Sequence, residues 1–169
     1  MYKLAIIIFS IITFLNADFS IGFKETKNLT TFEFSAPFIY GINLQHDYFL
    51  DEGLSISVGI GSEMPMHFVD LESNLYYQYI HFGATYQYVE FFYKLTFNSD
   101  FRSSYLNNPK IFGYYGMKLF VPIFINQYYI TPFVAIFDSP VFDYFGSDSN
   151  TYQTSKYFIN AGLKLGYSW

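Results

Sequence analysis

Alternation with a period of two runs through most of this chain, and it leaves few folds open. In the closing stretch YFINAGLKLGYSW, every second position from Tyr157 is apolar or aromatic: Tyr157, Ile159, Ala161, Leu163, Leu165, Tyr167 and Trp169. Between them lie Phe158, Asn160, Gly162, Lys164, Gly166 and Ser168, which are mostly small or polar. Successive side chains of a strand point to opposite faces, so this run reads as a strand with one apolar face. The same pattern occurs at 19–24, 32–45, 54–61, 80–88, 93–98 and 115–123. The stretch YYITPFVAIF is a further strand, of open parity because both of its faces are apolar. No helical period stands out.

Eight strands leave seven connections. KETKNLT, SEMPMHFVDLESN, SDFRSSYLNNPK and DSPVFDYFGSDSNTYQTS are long, while HDYFLDEG and the turns around Val89-Glu90 and Asn126-Gln127 are shorter. Long and short alternate along the chain, the layout of an up-and-down barrel with both termini at one end. The expected class is all-β: an eight-stranded antiparallel up-and-down transmembrane β-barrel.

The set between the apolar positions decides which face meets water. It is Gly, Ser, Thr, Asn and Gln, with one charge per strand at most, and charged residues make up only 14% of the chain. A water-facing set would be rich in Lys and Glu. Small polar residues suit the crowded lumen of a narrow barrel, with the apolar set turned out to lipid. A lipocalin-like reading would also need an early Trp, and Trp169 is the only one. Tyr157 and Tyr167 stand ten residues apart on one face. At about 3.3 Å per residue and a tilt near 40°, that is roughly 25 Å along the axis, the height of an apolar band between aromatic girdles.

The first residues, MYKLAIIIFSIITFLNA, carry one positive charge, Lys3, and then an apolar run too short to span a bilayer. They read as a secretory signal peptide over 1–17, with the barrel over 18–169. With no cysteine in the chain, disulfides, thiolate metal sites and Cys nucleophiles are excluded. The net charge of −5 and the lack of a basic stripe give no nucleic-acid footprint.

Signal peptide, eight alternating strands and an aromatic last strand together resemble the small outer-membrane β-barrel proteins of Gram-negative bacteria, the group of the OmpA barrel domain, OmpX and Opa-like proteins. The resemblance implies that Leu163, Leu165, Tyr167 and Trp169 form the signal read by the barrel assembly machinery. It implies localisation in the cell outer membrane, contact with periplasmic chaperones on the way, and outer-membrane lipid and lipopolysaccharide as surroundings. A monomer is expected, with no further domain after the last strand.

No catalytic, cofactor or metal site is expected. Outer-membrane lipid A deacylases carry His-x-Ser-Asn; His46, His67 and His81 sit in QHDY, MHFV and IHFG instead. Glu63, Asp70 and Glu72, or Asp138, Asp143 and Asp148, fit no calcium-loop spacing. GIGSE lacks the Lys-Ser and helix of a phosphate loop, and Asn28-Leu29-Thr30 is a chance-level glycosylation triplet placed in a loop. The inward set includes Lys24, Glu33, His81, Lys94, Lys118 and Lys164, so a polar network is expected in the lumen. Its bases outnumber its acids, which places Glu33, with Glu63 at the rim, among several lysines. Three roles follow: a structural or surface-interaction barrel acting through its outer loops, an OmpW-like conduit for small hydrophobic molecules, or a lipid A-modifying enzyme. The first is the leading expectation. A His, Ser and acid meeting on the outer wall would favour the third.

Overall fold

The computed structural model describes residues 19–21, 27–36, 39–65, 77–99, 113–138 and 157–169. They form ten strands: β1 (Phe19–Ile21), β2 (Asn28–Ala36), β3 (Ile39–Asp51), β4 (Leu54–Pro65), β5 (Tyr77–Tyr86), β6 (Val89–Ser99), β7 (Gly113–Phe120), β8 (Ile123–Ile125), β9 (Tyr128–Asp138) and β10 (Tyr157–Ser168). There is no helix among the described residues. Strands β2 to β7, then β9 and β10, pair antiparallel in sequence order, and β10 pairs back onto β2. The result is a closed eight-stranded up-and-down barrel.

The short strand β8 continues β7 after an interruption at Val121 and Pro122. Proline has no N–H for the ladder, and Val121 N instead donates to Pro132 O at 3.2 Å. Strand β9 pairs with β7 along one part of its length and with β8 along the other. At the turn end, residues 52–53, 87–88 and 126–127 reverse the chain, with Gly53, Gln87 and Asn126 at positive φ.

The register fixes the width. Paired residues followed from Thr30 through His46, Val58, Phe82, Tyr93, Tyr115 and Asp138 lead to Tyr157. Tyr157 lies four residues before Ala161, the partner of Ala36, so it is level with a point four residue lengths past Ala36 on the line of β2, ten beyond Thr30. A climb of that size over eight strands corresponds to a tilt of about 40° and a backbone radius of about 8 Å. Side chains alone can fill such a barrel.

The count of eight hides two compensating differences from the sequence reading. The run 32–45 is two strands, β2 and β3, and the segment 19–21 is not a wall strand. Instead β1 pairs with the edge of β8 at the turn end. Consequently Asn28, Leu29 and Thr30 belong to β2 rather than to a long loop. The connection between β2 and β3 spans only residues 37–38, against 66–76, 100–112 and 139–156 for the others at that end. The second turn at the opposite end is Gln87-Tyr88, so Val89 and Glu90 open β6.

The two faces separate cleanly. Outward lie Phe34, Ile60, Val134 and Ile159, between 46% and 60% exposed, with similar residues on every wall strand. Inward lie Thr31, Glu33, Asn43, Gln45, His81, Lys94, Lys118, Asn160 and Lys164, all buried. The open parity of β9 resolves with Tyr129, Thr131, Phe133, Ala135 and Phe137 inward. Two aromatic clusters cap the interior. One gathers Tyr79, Phe92, Tyr114, Phe120, Phe133 and Phe137, with Phe158 against it. The other, formed by Leu29, Phe124 and Tyr129 with Phe49, lies at the turn end.

Candidate functional site

Among the described residues, the lumen is where charge is concentrated. Strand alternation drives a glutamate or lysine inward from several walls at once, and the narrow radius makes them meet. Lys118 Nζ donates to Glu33 Oε2 at 2.6 Å, and Lys164 Nζ donates to Glu90 Oε2 at 2.6 Å. Each lysine also reaches the other's carboxylate, at 3.6 Å for Lys118 to Glu90 and 3.8 Å for Lys164 to Glu33. His81 Nε2 lies 2.8 Å from Glu90 Oε1. A carboxylate only accepts, so that contact assigns the ring proton to Nε2. Gln45 Nε2 donates to Asp47 Oδ1 at 2.8 Å and approaches Glu90 Oε1 at 3.4 Å, and Asn43 Nδ2 donates to Gln45 Oε1 at 3.2 Å. Toward the long-connection end, Lys94 and the Tyr114 hydroxyl both donate to Glu63.

Aromatic faces solvate the cations where water is scarce. Lys94 Nζ sits 4.3 Å from the Tyr79 ring centre, and Lys118 Nζ lies 5.1 Å and 5.3 Å from those of Phe92 and Phe133. These distances are within cation–π range. The Phe92 ring also stacks on His81, centroids 5.8 Å apart. Beside Glu33, Glu63, Lys94 and Lys118 the remaining cavity is about 10 Å³, room for roughly one water.

The structure thus brings Glu33, His81, Lys94, Lys118 and Lys164 into the lumen together, with Glu33 between two lysines and Glu63 near the rim. Lys24 lies outside the described residues, as do His67, Asp70, Glu72, Asp143 and Asp148. The charge balance differs from the sequence reading. Buried Glu33, Asp47, Glu63 and Glu90 face Lys94, Lys118, Lys164 and His81, so acids and bases are equal in number in the described lumen. Sequence reasoning missed Glu90, the residue in contact with most of the others, because it placed a turn there. The phase of Phe92 and Lys94 carries the signal, since Glu90 shares their parity.

Chemically the arrangement pairs charges and fills space. A Ser, a His and an acid do come near one another: a Cβ on Gly83 would lie 2.2 Å from Ser57 Oγ, 2.9 Å from Glu90 Oε1 and 3.0 Å from His81 Nε2. All three face the lumen rather than the outer wall, and neither Ser57 Oγ nor His81 Nδ1 has a hydrogen-bond partner among the described residues. No group of three or more metal-ligating side chains converges among the described residues.

The terminal strand forms a second cluster. Leu163, Leu165, Tyr167 and Trp169 all point outward. Trp169 N donates to Asn28 O at 3.1 Å, its ring N–H approaches Thr30 Oγ1 at 3.4 Å, and the ring lies 5.8 Å from that of His46. The Tyr167 hydroxyl donates to Gln127 Oε1 at 2.6 Å. These contacts fasten β10 both to β2 and to the β8–β9 turn. No family model, curated protein or solved structure matches the chain.

Proposed function

We propose that this chain is an integral outer-membrane β-barrel protein of a Gram-negative bacterium, with a structural or surface-interaction role exerted through its long connections. One observation carries the reading: the barrel is inside out with respect to water. Glu33, Glu63, Glu90, Lys94, Lys118 and Lys164 are buried in the lumen, while Phe, Ile, Leu or Val stands on the outer face of every wall strand. Leaving each such side chain in water forgoes about 1.5–3 kcal/mol of burial. A belt of this extent also exceeds the few hundred Å² typical of a soluble monomer. Lipid around the wall removes that cost.

Aromatic rows bound the belt. Tyr48, Tyr86, Tyr88, Tyr128 and Tyr167 are exposed near the turn end, and Tyr40, Tyr115 and Tyr157 toward the other. Such rings suit the bilayer interface, with the ring in the apolar layer and the hydroxyl among headgroups. On this reading the turns face the periplasm, and residues 66–76, 100–112 and 139–156 face outward. Residues 1–17 direct export and are removed. Leu163, Leu165, Tyr167 and Trp169 serve the assembly machinery, and lipopolysaccharide and phospholipid surround a monomer that performs no catalysis.

The test is fractionation of cells expressing the full chain, with gel mobility compared before and after heating. The protein is expected in outer-membrane fractions, migrating faster unheated. The double variant Tyr167→Ser/Trp169→Ser is expected to be exported yet to lose the heat-modifiable form. Recovery of the unaltered chain in the soluble periplasm would overturn the reading.

A further inference from the structure

We infer that the turn-end edge of β8 is a strand-docking surface, covered by the chain's own N-terminal segment, and that once uncovered it takes that same segment from a second copy of this chain. The edge arises because β8 outruns its neighbour. Strand β6 begins at Val89, the partner of Leu119, and beyond that pair Phe120 N still donates to Tyr88 O at 3.0 Å. Past Pro122, Ile123, Phe124 and Ile125 pair with β9 on one side. On the other side, among the described residues, they meet only β1. An apolar edge of this kind accepts an extended chain that reaches it. Three residues cover it in antiparallel register, Ile21 opposite Ile123 and Phe19 opposite Ile125. The cover is slight. Strand β1 is paired along one edge only, and Ile21 is 66% exposed. So short a strand opens at far lower cost than the eight-strand wall.

Tether length decides whose segment covers the edge. Ile123 lies four residues beyond Leu119, so its partner Ile21 is level with a point four residue lengths below Val89 on the line of β6. Strands β2 and β6 stand four apart in a ring of eight. Lys27, just before β2, is fixed to β3 by Phe49 N, which donates to its carbonyl at 3.0 Å. Ile21 and Lys27 therefore lie on opposite walls, about 16 Å apart across the barrel. Residues 22–26 join them, and six Cα steps reach at most about 22 Å. The chain's own segment thus crosses with little to spare, which keeps the intact protein a monomer. A tether two residues shorter reaches at most about 14 Å and cannot cross. The segment of a neighbouring copy is then the occupant that fits, because its sequence and register are those β8 already accepts. Donor and acceptor walls are opposite, so the donor wall of one copy must face the acceptor wall of the next. Such head-to-tail contacts do not close on a two-fold axis, and they build rows.

The chain has no cysteine, so the pair Ile21→Cys and Ile123→Cys reports docking when the full chain, refolded in detergent, is oxidised at rising protein concentration. At natural tether length the expected product is one internal disulfide in a monomer, and its absence would overturn the cover. With Phe23 and Lys24 deleted, the internal link is expected to disappear. A ladder of disulfide-linked chains is expected to replace it on a non-reducing gel. An internal disulfide that persists in the shortened chain would overturn the crossing, and a shortened chain that stays unlinked would overturn the docking surface. A single closed dimer with no higher rung would overturn the head-to-tail arrangement. Should the shortened chain fail to refold, a chain lacking residues 19–21 and carrying Ile123→Cys is mixed with a synthetic segment of residues 18–24 bearing Ile21→Cys. The mixed disulfide is expected to form several-fold faster than in a full chain carrying Ile123→Cys alone. Equal rates would show that β1 covers nothing that a second segment can use, and would overturn the inference.

Discussion

Glu90 shows how one residue can organise an interior. It is 0% exposed and lies within reach of Lys164, Lys118, His81 and Gln45, which come from four different strands. Removing its charge while keeping its shape leaves two buried ammonium groups with one neighbouring carboxylate, Glu33. Breaking a buried ion pair from one side costs about 3–5 kcal/mol. Glu90→Gln is therefore expected to lower stability by about that amount, whereas Glu52→Gln in the exposed turn stays within about 0.5 kcal/mol. Trp169, the only tryptophan, reports urea unfolding of the refolded protein without any added probe. A loss below about 1 kcal/mol for Glu90→Gln would mean that the lumen charges are solvated rather than paired. The inward identity of Glu33, His81, Lys94, Lys118 and Lys164 was legible in the sequence because alternation fixes the face. Their partners were not, because partnership depends on register across the barrel, and no local pattern encodes it.

At the level of strands, alternation placed nearly every face but merged β2 and β3 into one strand, for a definite reason. Residues 37–38 make a two-residue connection, and an even-numbered turn preserves parity: Phe34 and Ala36 on β2 and Tyr40 and Ile42 on β3 share one face. The hairpin therefore reads as one long strand, with Pro37 its only punctuation. Segment 19–24 alternates as well as any wall strand, yet its described part pairs outside the barrel, which period two cannot reveal. Packing across strands follows a different rule, large against absent. Gly83 on β5 faces Ser57 on β4, and a Cβ there would lie 2.2 Å from Ser57 Oγ. Overpacking of this kind costs about 1–3 kcal/mol. Gly83→Ala is expected to destabilise within that range, and Ser57→Gly in the same chain to restore most of the loss. Denaturant midpoints of the two single variants and the double give the coupling. Additive effects would show that the clash is relieved by backbone movement and not by the serine.

Taken whole, the molecule reverses the usual distribution of polarity and then closes what the reversal opens. A polar lumen invites water and ions, but eight strands at this tilt leave a backbone radius of only about 8 Å. Phe92, Phe120, Phe133 and Phe137 project into that space, with the ion network packed against them. Toward the turn end Leu29, Phe124 and Tyr129, each no more than 5% exposed, form an apolar stopper. A permeating ion would have to displace paired charges at one level and cross an apolar constriction at another. Each barrier is several kcal/mol in a dry interior. The refolded protein in a planar bilayer is therefore expected to give no porin-sized conductance steps. Removing bulk from the stopper alone, as in Phe124→Ala, is expected to leave it silent, because the network still fills the next layer. Combining Phe124→Ala with Glu90→Ala and Phe92→Ala opens both barriers and is the variant in which conductance is expected to appear, if it still folds. Regular steps from the unaltered protein would show that the packed lumen rearranges in the bilayer, and would promote a conduit over a structural role.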